Sequence, residues 1–354
     1  MTLSFDTNPL YPTGLDNLEA TPISTDVGAV EALLQHCPAA AATPLHLLDD
    51  EARRLGLGGL YAKDERARMG MGSFKALGAA FVIAREAAAA RGDRPWAEAL
   101  EGRVFVTASA GNHGLSVVAG SRIFGASSVI YLSRTVPGSF AERLRGMGAE
   151  VVIAGDDYEA SMVAAEDAAE ANGWTLLSDS TWPGHDGGVG VMQGYLVAAR
   201  EAADDCPQPP SHVFLQAGVG GFAAAMAVHL RARFGATPRI IVVEPDRAPA
   251  LRQGMAERAI CDAGSGVSSM GRLDCKRASQ TALLSLSQTA TDFATISDDD
   301  VAARLPQMAA AGLATSPSGG AGLAAAMMAA EQGLFGLGAE SRVLVFISEG
   351  PVDD

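Results

Sequence analysis

The chain alternates between short apolar runs and longer segments in which apolar residues recur with helical spacing. Runs of about four to eight apolar residues bounded by turn residues are typical of buried strands. This pattern predicts strands at 104–109, 129–133, 151–155 and 175–178, and helices at 112–124, 138–147 and 158–172. Strands that alternate with helices in this way form parallel βαβ units.

A second alternation of the same kind begins at residue 212. It predicts strands at 212–216, 239–243 and 342–348, and helices from about residue 221, at 298–313 and at 318–332. Near the start of the chain, residues 60–64 are predicted to form another short strand. The fold class that we predict is therefore α/β, with two domains. A cleft between two such domains is the natural place for a small-molecule site.

The charge balance narrows the range of partners. The 354 residues carry a formal net charge of -15, which argues against a nucleic-acid partner because phosphate contacts need clustered Lys and Arg. The 4 cysteines are scattered, so we expect neither a metal site nor a disulfide framework. The chain shows no signal-peptide pattern and no uninterrupted apolar stretch of membrane length, so we expect a cytoplasmic protein with no membrane partner.

A lysine stands at the start of a predicted helix, in the stretch Ser73-Phe74-Lys75. The helix macrodipole disfavours a positive charge at this end. Lys75 is therefore either an ordinary surface lysine or a lysine that forms a covalent imine. The second interpretation needs a lowered pKa, and both the helix N-terminus and the apolar neighbours act in that direction.

Two loops between a strand and a helix are rich in small residues. Residues 107–113 read TASAGNH, and several of their backbone N–H groups can point at one anion, with Asn112 beside them. A tight turn capped by Asn explains the same residues, and His113 alone is more typical of a structural histidine. Residues 216–223 read QAGVGGFA, which is the setting of a phosphate cradle.

The second loop also supports a different function. Its residues 218–223 satisfy the dinucleotide pattern G-x-G-x-x-A, and Glu244 ends the next strand, where an acid that binds ribose would lie. A nicotinamide-dependent oxidoreductase is therefore an alternative.

A lysine, an Asn-containing loop and a glycine loop together suit pyridoxal phosphate. In these residues the sequence resembles the fold-type II pyridoxal-phosphate enzymes, the tryptophan synthase β superfamily, and within it the diaminopropionate ammonia-lyases most closely. The similarity covers nearly the whole chain in order, and the matching stretches lie at 43–45, 63–65, 73–78, 111–114, 178–182, 192–195, 215–220, 242–246 and 348–350.

The resemblance implies a role for each matching site residue. Lys75 would be the catalytic residue and would carry pyridoxal 5'-phosphate. The other residues implied in cofactor binding are Phe74, Asn112 at the phenolic oxygen, Gly218, Val219, Gly220 and Gly221 at the phosphate, and Ser348 at the pyridine nitrogen. Those implied in substrate binding are Ser109, Ala110 and Gly111 at the carboxylate, His113, and Asp179 at a distal amine.

The resemblance also implies an architecture and a reaction. It implies two doubly wound parallel-sheet domains with the cofactor in the interdomain cleft, and a homodimer. We place the large cofactor-binding domain at 1–75 and 186–354, and the small substrate-loop domain at 76–185. The implied activity is that of a lyase that converts a β-substituted amino acid to a 2-oxo acid plus ammonia by β-elimination.

One residue departs from the pattern of the ammonia-lyases. They carry an acid directly before the Gly-Asn-His stretch, and here this residue is Ala110. The stretch Ser-Ala-Gly-Asn is more similar to an L-serine or L-threonine dehydratase, so a β-hydroxy amino acid is the alternative substrate class. A carrier that binds pyridoxal phosphate without catalysis is a third hypothesis, but it would not need the carboxylate loop.

Overall fold

The chain folds around two β-sheets in a computed structural model that describes residues 3–37 and 39–351. The larger sheet has seven strands in the order β1-β10-β9-β8-β11-β3-β2, and the smaller has four in the order β6-β5-β4-β7. The strands are β1 (Ser4–Thr7), β2 (Leu45–Leu47), β3 (Gly59–Asp64), β4 (Val104–Ala108), β5 (Ser127–Leu132), β6 (Glu150–Ile153), β7 (Thr175–Leu176), β8 (His212–Gln216), β9 (Arg239–Pro245), β10 (Asp292–Ile296) and β11 (Arg342–Ile347).

Helices connect and cover these strands. They are α1 (Val27–Leu34), α2 (Asp49–Arg54), α3 (Lys75–Ala90), α4 (Asn112–Ile123), α5 (Gly138–Gly146), α6 (Tyr158–Asn172), α7 (Gly188–Gly194), α8 (Leu196–Asp205), α9 (Gly221–Phe234), α10 (Ala250–Glu257), α11 (Gln280–Thr289), α12 (Asp298–Ala302), α13 (Leu305–Ala310) and α14 (Pro317–Glu331).

The pairing confirms the predicted α/β fold with two parallel sheets. All neighbouring strands of the smaller sheet run parallel, as do the five inner strands of the larger one. Both edges of the larger sheet are antiparallel: β1 pairs with β10, and β2 pairs with β3. Every residue of β3 and of β8 is buried, as expected for parallel strands that are covered on both faces.

The strands of the smaller sheet lie within the predicted small domain, and those of the larger sheet lie outside it. The bounds of the two domains, 1–75 with 186–354 and 76–185, stay a prediction. Residues 1, 2, 38 and 352–354 of that division lie outside the described residues.

One predicted helix is wrong. The segment 298–313 forms two helices, α12 and α13, instead of one. Pro306 stands in the first turn of α13. Proline has no backbone N–H and clashes with the preceding turn, so it is tolerated where a helix starts and not in its interior.

Helix α14 holds the residue that follows β11 in the larger sheet. The hydroxyl of Ser316 caps the helix by accepting from the backbone N–H of Gly319 over 2.9 Å. The carbonyl of Gly319 in turn accepts from the backbone N–H of Ser348 over 3.2 Å. The residue that follows β11 is therefore held in place by a capped, buried helix.

Candidate active site

The carboxyl ends of β4, β8 and β11 meet at one cavity of about 1240 Å³. Ligands of open parallel sheets bind at this end of the strands. Every site residue predicted from the sequence lines this cavity: Phe74, Lys75, Ser109, Ala110, Gly111, Asn112, His113, Asp179, Gly218, Val219, Gly220, Gly221 and Ser348.

Lys75 is the first residue of α3, and the residue before it is anchored on two sides. The backbone N–H of Phe74 donates to the carbonyl of Ser348 over 3.2 Å. The ring of Phe74 packs against Phe222 and Tyr195, with centroid separations of 4.3 and 4.8 Å. These contacts fix the point from which the lysine side chain enters the cavity.

The charge of Lys75 is balanced by a carboxylate. Its Nζ makes a direct ion pair with Oδ2 of Asp179. Burial opposes the charge of Lys75, but Asp179 outweighs burial and raises the pKa of the lysine. Burial also opposes the charge of Asp179, and Lys75 holds the pKa of that carboxyl below its ordinary value. The expected lowering of the Lys75 pKa is therefore wrong, because a partner carboxylate compensates the cation at the helix start.

The turn between β4 and α4 forms part of the cavity wall. The hydroxyl oxygen of Ser109 accepts from the backbone N–H of Gly114 over 3.0 Å and from that of Gly111 over 3.4 Å. Helix α4 begins at Asn112, so the positive end of its dipole lies at the cavity. Ala110, between these residues, brings no titratable group.

Asn112 is held by a residue to which the sequence pattern assigned no role. Its Nδ2 donates to Oε2 of the buried Glu349 over 2.6 Å, and the hydroxyl of Ser316 donates to the other oxygen of this carboxylate. A carboxylate only accepts, so the bond fixes the amide of Asn112 with its NH₂ group toward Glu349. The position of Glu349 directly after Ser348 is the signal that could have identified it.

His113 is buried, and its two ring nitrogens differ. Nε2 donates to the carbonyl of Leu177 over 2.8 Å, since a carbonyl can only accept. Nδ1 forms no hydrogen bond with any residue that the structure describes. Burial lowers the pKa of His113, and the charge of Asp179 opposes this only in part. The ring is therefore neutral, with a lone pair on Nδ1.

The glycine loop reaches the cavity at the start of α9. Gly220 has a φ of 97°, which is a left-handed conformation that favours glycine. At Gly218, a Cβ would lie 3.0 Å from Cα of Leu273 and 3.0 Å from Sγ of Cys275, so this position also has no room for a side chain. The loop thus brings backbone N–H groups to the N-terminus of a 14-residue helix, which is a site for a phosphate.

Ser348 is oriented by Gln216, the last residue of β8. Nε2 of Gln216 lies 3.1 Å from Oγ of Ser348 and 2.9 and 3.0 Å from the carbonyls of Gly319 and Phe346, so these three acceptors share its two N–H donors. Because the Ser348 oxygen accepts from Gln216, its own hydrogen is available to an acceptor in the cavity.

Glu244, the acid on which the nicotinamide alternative depends, has another role. Its two carboxylate oxygens accept from the backbone N–H groups of Leu251 and Arg252 over 2.7 and 2.8 Å. It thus supplies the hydrogen-bond acceptors for backbone N–H groups in the first turn of α10. Glu244 is not among the residues that line the cavity. Glu244 is therefore not placed to bind a ribose in the cavity.

Residues 271–278 cover the cavity between the glycine loop and the Ser109 turn. This segment has no regular secondary structure, and no sequence pattern pointed to it. It contributes Arg272, whose Nη1 donates to the carbonyl of Ala110 over 3.3 Å. Burial raises the pKa of its Cys275 to about 11, so the thiol stays protonated near neutral pH.

These residues suit pyridoxal phosphate by their chemistry. A primary amine can carry its aldehyde, the start of α9 can bind its phosphate, and the Ser348 hydroxyl can donate to its ring nitrogen. The second N–H of the Asn112 amide can donate to its phenolic oxygen. Among residues 3–37 and 39–351, no group of three or more His, Cys, Asp or Glu could hold a metal ion, and no helix is long and apolar enough to cross a membrane.

Comparisons with known proteins agree with this chemistry. The chain is 35% identical over 242 residues to diaminopropionate ammonia-lyase of Salmonella typhimurium, a match that covers 63% of this chain and 60% of that protein. It is 29% identical to the enzyme of that name from Escherichia coli K12, over 72% of this chain and 68% of the relative.

The fold is likewise similar to a solved structure. Diaminopropionate ammonia lyase from Escherichia coli, in complex with an aminoacrylate-PLP azomethine reaction intermediate, superimposes with a TM-score of 0.85 at 25% identity and covers 99% of this chain and 94% of that one. Residues 37–349 match the family described as pyridoxal-phosphate dependent enzyme. The chain therefore belongs to the pyridoxal-phosphate-dependent enzymes of fold type II.

Proposed function

We propose that this chain is an ammonia-lyase that acts on 2,3-diaminopropionate by β-elimination. The observation that carries the proposal is the carboxylate of Asp179 next to the amine of Lys75 inside the cavity. A carboxylate at this position can bind an ammonium group on the β-carbon of an amino acid whose α-carbon lies within reach of the lysine. The names of the relatives support the same substrate.

Each step is assigned to a group of this chain. Pyridoxal phosphate, when bound, supplies an electron sink for the electron pair that Cα keeps when its proton leaves. Lys75 holds the cofactor at rest and takes the Cα proton as general base once substrate has displaced it. Asp179 stays ionised, so it keeps the β-nitrogen protonated and lets this nitrogen leave as neutral ammonia.

The overall reaction balances with one water molecule. Loss of the β-ammonia leaves an enamine of the three-carbon acid, which is released and hydrolyses in water. Diaminopropionate and water thus give pyruvate and two molecules of ammonia. The turn from Ser109 to Gly111 and the dipole of α4 hold the substrate carboxylate during these steps.

The proposal includes a cytoplasmic homodimer and the domain division 1–75 with 186–354 and 76–185. The resemblance to fold-type II enzymes supports the dimer and the division. Light scattering of the purified protein tests the dimer, and subcellular fractionation of its natural host tests the location.

A second candidate is a dehydratase for L-serine or L-threonine. It is favoured by Ala110, which stands where the diaminopropionate enzymes carry an acid. A β-hydroxyl group would leave as water. The remaining enamine, with three carbons from serine or four from threonine, would hydrolyse to a 2-oxo acid and only one ammonia.

The stoichiometry of ammonia separates the two candidates. The purified protein, supplied with pyridoxal phosphate, is incubated with L-2,3-diaminopropionate, L-serine or L-threonine, and 2-oxo acid and ammonia are measured. We expect the highest kcat/KM for diaminopropionate, with two ammonia per pyruvate. A higher kcat/KM for serine or threonine, with one ammonia per 2-oxo acid, would favour the dehydratase, and absence of 2-oxo acid from all three would contradict both.

A further inference from the structure

Arg272 is a cation of the cavity to which neither the family pattern nor the proposed reaction gives a role. It lies in the segment 271–278, which also carries Lys276 and Arg277. Lys276 makes an ion pair with Asp274, and Arg277 makes one with Asp262 over 3.4 Å.

The ion pair of the Arg272 guanidinium is longer than these two. The nearest carboxylate to this guanidinium is that of Glu349, 4.0 Å from its Nε. This Nε is buried and makes no hydrogen bond within the described part of the chain. Buried donors in native proteins almost always have an acceptor, so this N–H lacks a hydrogen-bond acceptor that a ligand in the cavity can supply.

The direction of the side chain indicates which anion it meets. The guanidinium lies over the turn that precedes α4, since a Cβ built on Gly111 would be 3.2 Å from its Cζ. Its Nη1 donates to the carbonyl of Ala110. At Gly218, in the phosphate cradle, the backbone carbonyl of Arg272 lies 3.1 Å from the position of a Cβ.

The backbone of Arg272 is also held in place. Its N–H donates to the hydroxyl of Ser318, in the first turn of α14, over 3.0 Å. The side chain therefore extends from a fixed point to the turn at Ala110 and Gly111. A guanidinium presents a rigid fork of N–H donors that matches a carboxylate and can bind it with two parallel hydrogen bonds.

We infer that Arg272 binds the α-carboxylate of the substrate, together with the turn at Ser109 to Gly111. The inference rests on the proposed function for the substrate, but it extends to any amino acid that enters this cavity. It makes Arg272 a specificity-determining residue, because the protein would then distinguish a free amino acid from its amide by the carboxylate charge.

Binding of glycine and glycinamide to the holoenzyme tests this inference without turnover. Glycine has the carboxylate and the amine but no β-substituent, and glycinamide lacks only the charge of the carboxylate. Binding is followed by the change in the visible spectrum of the cofactor. We expect Arg272→Gln to lower the affinity for glycine by about 10- to 150-fold, the range of a hydrogen bond between charged groups. The affinity for glycinamide should fall by less than about threefold.

Two variants and one further titration control the result. Arg277→Gln removes the same charge from the same segment and should leave the affinities for both ligands within about twofold of the wild-type values. Arg272→Lys keeps the charge but not the forked donor geometry, so its affinity for glycine should lie between those of the wild type and Arg272→Gln. Titration of the apoprotein with pyridoxal phosphate should give the wild-type affinity for Arg272→Gln.

Three outcomes would overturn the inference. Unchanged glycine binding in Arg272→Gln would show that the carboxylate does not meet this residue. Equal weakening of glycine and glycinamide would mean that Arg272 supports the turn through its bond to Ala110. A loss of affinity for pyridoxal phosphate in the apoprotein would assign the guanidinium to the cofactor.

Failure of the lyase proposal would give a different result. Diaminopropionate would yield no pyruvate, while glycine binding still depended on Arg272.

Discussion

Replacing Asp179 by Asn tests whether this residue recognises the β-substituent. The side chains of Asp179 and Lys75 are only 15% and 22% exposed, so solvent screens their charges little. A hydrogen bond to a charged group contributes about 1.5–3 kcal/mol. At about 1.4 kcal/mol per factor of ten, Asp179→Asn should lower kcat/KM for diaminopropionate by roughly 10- to 150-fold.

The assay compares two substrates that differ only in the leaving group. Pyruvate formation is followed for L-2,3-diaminopropionate and for L-serine, each with wild type and variant. The loss should be smaller for serine, because its hydroxyl group carries no positive charge for Asp179 to bind. Equal losses for the two substrates would refute the reasoning and assign Asp179 a general structural part.

A matched control is available at the rim of the same cavity. Asp156 lines the cavity and its side chain is 87% exposed in an ion pair with Arg134. Asp156→Asn removes the same charge, and we expect less than about a twofold change with either substrate. Asp179→Asn also removes the group that raises the pKa of Lys75, so its apoprotein should attach pyridoxal phosphate faster than wild type near neutral pH.

Three further predictions concern Ala110, Glu349 and Glu244. Because Ala110 cannot abstract a proton, we expect turnover of L but not D substrates and no solvent deuterium exchange at Cα of the D form; comparable turnover of the D form would point to the free Nδ1 of His113. Glu349→Gln replaces a charged acceptor of the Asn112 amide and should weaken pyridoxal phosphate binding by about 3- to 10-fold, and an unchanged affinity in an apoprotein titration would contradict this. Burial raises the pKa of Glu244 from 4.5 to about 8, so in that window this group binds a proton in the folded state and not in the unfolded state, and its contribution to stability falls as pH rises, by about 1.4 kcal/mol per pH unit. Glu244→Gln should remove this slope in urea unfolding between pH 5.5 and 7.5, and equal slopes would argue against the raised pKa.

Sequence patterns were sufficient to predict loops that line the cavity. Residues 109–113, 218–221 and 348 follow strands whose buried apolar runs are easy to recognise, and parallel strands bring their carboxyl ends to one edge. The small residues of these loops leave backbone N–H groups exposed to a ligand. The position of these loops directly after recognisable strands was therefore enough to predict that they would lie close together.

The charge state of Lys75 could not be predicted in the same way. Its partner Asp179 lies 104 residues away along the chain, and only the folded structure brings the two together. Local signals, the helix N-terminus and the apolar neighbours, indicated a lowered pKa. An ion pair in a sheltered cavity is stronger than either, and it reverses the direction.

Helix α7 was missed because its own residues argue against a helix. Its sequence GVGVMQG has three glycines, each unfavourable in a helix interior. Packing explains why the helix forms. A Cβ on Gly194 would lie 2.8 Å from Cα of Gly78 in α3, and one on Gly78 would lie 2.5 Å from Cγ1 of Val191. Glycines on both helices thus allow a close approach that a single-segment pattern does not show.

The central claim is that Lys75 carries the cofactor, and borohydride reduction tests it most directly. The holoenzyme is reduced, digested and mapped for the peptide that holds the pyridoxyl label. We expect the label on Lys75 and none on Lys63, which is fully buried and bound to Glu201 over 2.8 Å. A label on Lys63, or a holoenzyme that borohydride leaves unlabelled, would contradict the account.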